Sequence, residues 1–283
     1  MSAVVEVVHN VLVEVRSESS SFEVAVGGAG IGAAILVASS LRARLTRPSS
    51  PTAGRIGLAW TRASVVVALF VLLAVQVAQA GWVTGGDAAV LDWLAGHRSG
   101  PATALARAVS EVGSPAGTAV LAILAAGWLV RRYRSVVPGA VVLVVLGTAA
   151  VVGTVCKHAV ARARPPIALR LVAENNFAFP SGHTTATTAV VTAVLAVYLT
   201  GGPRPSRALA AVLSAALAVA AVGSSRLYLG VHWLTDVVGG ALLGTAVTMV
   251  ATAVLVMWRG SVSRRDPAGS SVATGRDRVS AAV

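Results

Sequence analysis

Three short clusters concentrate the residues of this chain whose types and spacing suit polar chemistry. The first is Lys157-His158-Ala159-Val160-Ala161-Arg162-Ala163-Arg164-Pro165, the second Phe179-Pro180-Ser181-Gly182-His183, and the third runs from Ser225-Arg226 through His232 to Asp236. His232 and Asp236 are four positions apart, so on a helix they share a face. A carboxylate bonded to one imidazole nitrogen fixes the tautomer and stabilises positive charge on the ring, leaving the other nitrogen able to attack phosphorus. Spacing alone equally allows a pair that only caps or solvates a helix end. His183 follows Pro180-Ser181-Gly182, a turn leading into an apolar run. Glycine there lets the backbone approach a ligand, the free N–H groups of a starting helix attract anions, and a histidine at that point can give a proton to a leaving oxygen. Lys157, Arg164 and Arg226 supply the positive charge that equatorial phosphoryl oxygens need, arginine as a planar fork and lysine as a point charge. Each of the three has an ordinary alternative, snorkelling to lipid headgroups. Arg162, Arg170 and His158 read closer to that ordinary role, and His9 and His97 have no evident partner.

The elements that must position these clusters are membrane helices. Hydrophobic residues make up 55% of the 283-residue chain and charged residues 12%, against about 25% charged in a soluble domain; the mean hydropathy is +0.78. A bilayer-spanning helix needs roughly 20 apolar residues, and six stretches qualify: Ala63–Gly81, Ser114–Val130, Ser135–Cys156, Thr184–Leu199, Ala208–Gly223 and Val237–Trp258. A seventh, Val24–Leu41, is loosened by Gly27, Gly28, Gly30 and Gly32. The runs are continuous rather than alternating, which excludes barrel strands. The expected fold is therefore an all-α integral membrane bundle of six core helices with one possible N-terminal addition. Residues 1–54 form the N-terminal segment, 55–258 the membrane-embedded domain, and 259–283 a disordered cytoplasmic tail.

The net charge of +12 is carried almost wholly by arginine, with Lys157 the sole lysine. Most of those arginines sit in short segments between apolar runs, as in cytoplasmic loops, so nucleic acid is not an expected partner. Arg42, Arg44, Arg47, Arg55 and Arg62, then Arg131, Arg132 and Arg134, then Arg204 and Arg207, then Arg259, Arg264 and Arg265 all fall on one side of a six-span layout. The positive-inside rule makes that side cytoplasmic. All three polar clusters then face outward, where positive charge opposes the general trend and calls for a specific anionic ligand. Asp87–Val112 reads as helices on the outer interface, suited to guiding a lipid or simply to packing as a loop. The lone Cys156 excludes an intramolecular disulfide and a multi-cysteine metal site. Glu6 and Glu14 stand where a cleavable signal would be basic.

Taken together and in order, Lys-x6-Arg-Pro, Pro-Ser-Gly-His and Ser-Arg-x5-His-x3-Asp resemble the three-part signature of the type 2 phosphatidic acid phosphatase family. The likeness is specific over Lys157–Asp236 and looser, by span layout, over Arg55–Trp258. It implies a helical-bundle phosphatase that needs no metal or other cofactor. His232 would be the nucleophile, forming a phosphohistidine, with Asp236 orienting it. His183 would protonate the leaving alkoxide and later activate water. Lys157, Arg164, Ser181, Gly182 and Arg226 would hold the phosphate. Where many relatives carry Pro-Ser before the aspartate, this chain has Leu234-Thr235, which removes no catalytic group. The implied substrate is a membrane lipid phosphate or diphosphate: an isoprenoid diphosphate, phosphatidic acid or phosphatidylglycerol phosphate. The particular lipid and the oligomeric state stay open. A lipid phosphotransferase using the same site is the alternative enzyme. A non-enzymatic anion transporter is a weaker one, because binding alone needs neither His183 nor the His232–Asp236 pair.

Overall fold

The computed structural model describes residues 28, 30–39 and 51–265, with side chains described up to 258. The described residues form helices and connecting turns, with no strand among them, as the continuous apolar runs require. In chain order the helices are α1 (Gly30–Ser39), α2 (Pro51–Ala78), α3 (Gly86–Gly96), α4 (Gly100–Val112), α5 (Pro115–Tyr133), α6 (Val137–Val160), α7 (Gly182–Thr200), α8 (Pro205–Tyr228) and α9 (Leu234–Arg265). Two single 3-10 turns, Trp82–Thr84 and Ile167–Leu169, interrupt the connections.

Among the described residues, five stretches are long and apolar enough to cross a bilayer: Ala53–Ala78, Val137–Val160, Gly182–Thr200, Pro205–Tyr228 and Leu234–Trp258. The expected span at Ser114–Val130 joins them only together with the helix before it, as the pair α4 and α5 bent by 55°. Local sequence explains the bend. Ser114 caps α5 by accepting from Gly117 N at 3.0 Å, and Pro115 follows at the first helical position, a start signal for a new helix rather than the continuation of an old one. Of the expected seventh span, Gly30–Ser39 is a short apolar helix and the flanks lie outside the described residues. α9 continues to Arg265, and the tail from position 266 lies outside the described residues.

Among the described residues, two of three buried apolar clusters bind the long helices to one another. Ala122, Leu129, Val142, Val145, Ala149, Ala189, Val190 and Ala193 join α5, α6 and α7. Phe70, Leu73, Val77, Phe179 and Leu243 tie α2 and the α6–α7 connection to α9. Large apolar side chains also point outward, among them Leu217 at 71% exposure and Leu124 at 64%, a pattern suited to lipid as the solvent. An open apolar groove of about 780 Å³ runs between α2, α6 and α9, lined by Phe70, Val71, Val144, Val152, Leu243 and Val247 among others.

α9 packs on α7 through backbone approach. A Cβ placed on Gly240 would stand 2.7 Å from the Ser181 carbonyl oxygen, closer than real side-chain contacts permit. This brings the start of α9 against the start of α7, where Ser181 N donates to Asp236 O at 3.0 Å. α6 and α8 end where α7 and α9 begin, so the ends of four helices and their connections meet at one end of the bundle.

Candidate active site

All three polar clusters converge at that end. Lys157 lies in the last turn of α6, Arg162 and Arg164 just beyond it, His183 in the first turn of α7, Arg226 in the last turn of α8 and Asp236 in the first turn of α9. The Lys157 and Arg226 helices run past the expected stops at Cys156 and Gly223, so these cations sit on helices rather than in loops. Basic residues suit helix C-termini, and Asp236 suits an N-terminus.

His232 is 1% exposed and Asp236 is fully buried. His232 Nδ1 lies 3.3 Å from Asp236 Oδ2, which also accepts from Trp233 N at 2.9 Å. On the other side of the ring, Arg164 Nη1 lies 3.2 Å from His232 Nε2. A guanidinium only donates and a carboxylate only accepts, so the tautomer is fixed from both sides: Nδ1 carries the proton and Nε2 presents its lone pair. Burial pushes the His232 imidazole well below its ordinary value; Arg164, Arg226 and Lys157 add to the effect and Glu174 opposes it. The ring is therefore neutral near pH 7, as a nucleophile requires.

Around it stand the cations. Arg164 also donates Nη1 to Val231 O at 2.6 Å and Nε to Asn176 O at 2.7 Å, and its Nη2 bonds Asn176 Oδ1. Arg226 donates Nη1 to Ser110 Oγ of α4 at 2.6 Å. Glu174 bridges the two arginines, its Oε1 bonded to Arg226 Nη2 and its Oε2 3.4 Å from Arg164 Nη2. Burial alone would raise the Glu174 carboxyl, but the Arg226 and Arg164 guanidiniums outweigh it and hold it below the ordinary carboxylate range. Burial lowers the Arg164 guanidinium from its ordinary value, against the pull of Glu174. Lys157 Nζ donates to Phe177 O at 2.6 Å. His183 takes no hydrogen bond from the described residues and lies within electrostatic reach of Arg226, Glu174, Arg164 and Lys157.

The second cluster adds a tight turn. The Phe179–Pro180 peptide is cis, Ser181 is fully buried with its Oγ accepting from Thr184 Oγ1 at 3.1 Å, and a Cβ on Gly182 would lie 3.9 Å from Lys157 Cε. Gly182 thus lies beside Lys157, and Ser181 bonds Asp236 O and Thr184 rather than either arginine. A polar cavity of about 540 Å³ opens beside this group, lined by Lys157, Arg162, Arg164, Arg170, Glu174 and Asn176 among others.

Arg162 corrects a sequence expectation. Its guanidinium is not a headgroup contact: Nη1 donates to Asp236 Oδ1 and to Thr235 Oγ1, each at 2.6 Å, and Nη2 to Asp87 Oδ2 at 2.6 Å. Asp87, Ser110, Glu174 and Asn176 are participants that spacing did not reveal. The available signal is rarity. The whole chain has 11 acidic residues, and an acid near membrane depth needs a partner.

Known proteins resemble this chain in sequence and in fold. The pattern of the PAP2 superfamily matches residues 138–259. Phosphatidylglycerophosphatase B of Bacillus subtilis (strain 168) is 41% identical over 115 residues, which span 40% of this chain and 55% of that protein. Decaprenylphosphoryl-5-phosphoribose phosphatase of Mycobacterium tuberculosis is 35% identical over 156 residues, 53% of this chain and 79% of that one. Among solved structures, a transmembrane PAP2-type phosphatidylglycerolphosphate phosphatase from Bacillus subtilis superposes with a TM-score of 0.60 at 25% identity, covering 67% of this chain and 94% of that one. Fold, site geometry and sequence thus lead to one assignment: this multi-pass membrane protein belongs to the PAP2 superfamily.

Proposed function

We propose that the protein removes the terminal phosphate from a membrane lipid through a phosphohistidine on His232, without a metal ion. The observation that carries this reading is the His232 ring, held at Nδ1 by Asp236 and presenting Nε2 beside Arg164. A substrate phosphate replaces the Glu174 carboxylate between Arg164 and Arg226, drawing Arg164 off Nε2. The Nε2 lone pair attacks the terminal phosphorus, its P–O bond to the leaving group (the alcohol of a monophosphate, or the lipid monophosphate of a diphosphate) breaks, and His183 gives its proton to the leaving oxygen of an alcohol. Water then attacks the phosphohistidine while His183 takes its proton. The P–N bond breaks, and inorganic phosphate leaves with neutral His232 restored. Lys157, Arg164 and Arg226 spread the developing charge, and the backbone around Ser181 and Gly182 borders the phosphate at the start of α7.

The relatives' names join a glycerophospholipid and a decaprenyl lipid, chains with little in common beyond a phosphorylated polar end. That supports recognition of the phosphate end first. Isoprenoid diphosphate, phosphatidic acid and phosphatidylglycerol phosphate are the panel to test. The positive-inside pattern supports placing the site on the extracytoplasmic face of the cell membrane.

The test is phosphate release from that panel by purified protein in chelator. Turnover should persist, and His232→Ala should lower it by at least about 1,000-fold while the protein stays folded. Turnover that needs an added divalent ion, or that survives in His232→Ala, overturns the reading. Appearance of the phosphoryl group on an acceptor lipid instead of in water would favour a phosphotransferase.

A further inference from the structure

We propose that Asp87, on the short helix α3, is a positioning residue for the His232–Asp236 pair, acting through Arg162; this rests on the reading of His232 as the nucleophile. The two carboxylates are far apart in sequence and share one guanidinium. Arg162 Nη1 reaches Asp236 Oδ1 and Nη2 reaches Asp87 Oδ2, both at 2.6 Å. Thr235 closes the group. Its hydroxyl accepts from Arg162 Nη1 and donates to Asp87 Oδ2 at 2.6 Å, and its N–H donates to Asp87 Oδ1 at 2.9 Å. Asp87 therefore also satisfies a free N–H in the first turn of α9, a role a capping side chain normally fills from within the same helix. The Trp233 ring packs on the guanidinium with Arg162 Cζ 5.5 Å from its centroid, and Trp233 Nε1 is tied to Ala163 O at 2.9 Å.

Charge explains why a second carboxylate belongs there. Asp87 is 3% exposed and Asp236 fully buried, so their charges are weakly screened. With Arg162 alone opposite Asp236, the pair would be neutral and Asp236 a poor acceptor for the Nδ1–H of a ring gaining positive charge. Asp87 takes half of the guanidinium, leaving one uncompensated negative charge across the group. Attack by Nε2 places positive charge on the ring and balances it. The arrangement favours the phosphorylated ring over the neutral one, which is differential stabilisation along the reaction.

The experiment compares steady-state kinetics of the full-length wild type, Asp87→Asn, Asp87→Glu and Arg162→Lys in detergent, using the best lipid of the phosphate-release panel, with His232→Ala as control. Asp87→Asn should lower kcat by about 10–100-fold, the scale of lost outer-shell support at other sites, with KM changed by less than about 3-fold. Asp87→Glu should recover part of the loss. The acid limb of the kcat/KM profile should move to lower pH in Asp87→Asn, because removal of a nearby negative charge disfavours imidazolium. The other charged or titratable groups near His232 are Lys157, Arg162, Arg164, Glu174, His183, Arg226 and Asp236, all unchanged between the two proteins. Should Asp87→Asn fail to fold, Arg162→Lys carries the same test, keeping the charge but losing the fork that spans both carboxylates. Wild-type kcat in Asp87→Asn with an unmoved acid limb, or in Arg162→Lys where that is the variant read, overturns the proposal. So does a loss confined to KM. Turnover retained in His232→Ala would instead remove the nucleophile assignment on which the proposal stands.

Discussion

At the scale of single residues, His232 is held neutral by burial and by the cations around it, and that has a cost in acid. As pH falls through the ordinary histidine value of 6.5, the unfolded chain takes up a proton that the folded one refuses. Stability is thus full above that value and declines below it. Glu174, held below its usual range, adds a second decline at lower pH. The melting temperature in detergent should fall between about pH 7.5 and about pH 5.5, and His232→Gln should flatten that fall; an equal slope in the variant would contradict the assignment. His183→Gln should slow phosphate release by about 100–10,000-fold, with a smaller loss for substrates whose leaving group needs no proton. The residues of the three clusters were legible because each cluster is contiguous in sequence. Asp87 and Glu174 were not, because their meaning lies in partners far along the chain: Asp87 meets Thr235 across 148 positions and Glu174 meets Arg226 across 52.

At the scale of elements, apolar runs identified the helices, and charges misplaced their ends. The apolar runs of α6 and α8 end at Cys156, before Lys157, and at Gly223, before Ser224-Ser225-Arg226. Both helices run on, to Val160 and Tyr228, because the cations meet partners within the protein and the backbone ladder has no reason to stop. The bend between α4 and α5 has a local cause: Ser114-Pro115 starts a new helix directly after α4, so hydropathy marks α5 as a span of its own while the two helices meet at 55°. Helix contacts set firmer limits than hydropathy. Gly240→Ala should drive a methyl toward the Ser181 carbonyl and destabilise the fold by about 1–3 kcal/mol, visible as a lower melting temperature and reduced activity. Gly230 has φ of +72°, and a Cβ there would lie 2.1 Å from Leu169 O. Gly230→Ala should be more damaging still, because it combines left-handed backbone strain with a collision two residues before His232.

At the scale of the whole molecule, sequence and structure agree on an all-helical membrane bundle, and the arginine distribution is the ground for its proposed direction. With Cys156 replaced by alanine, Asn175→Cys should react with an impermeant thiol reagent added outside intact cells. Asn175 is preferred to Asn176, whose side chain holds Arg164. Labelling only after the membrane is broken would reverse the orientation. The meeting of four helix ends has a further consequence for how the protein is made. Lys157, Arg162 and Arg164 emerge from the ribosome before Arg226, and His232 and Asp236 come last. Until α9 has entered the bilayer, the guanidinium of Arg162 lacks Asp236, and the cations proposed to hold phosphate stand without the His232–Asp236 pair. On the proposed mechanism, a nascent chain would lack hydrolytic competence during insertion. Arrival of the final span would complete the charge pairing and switch on the chemistry in one assembly step.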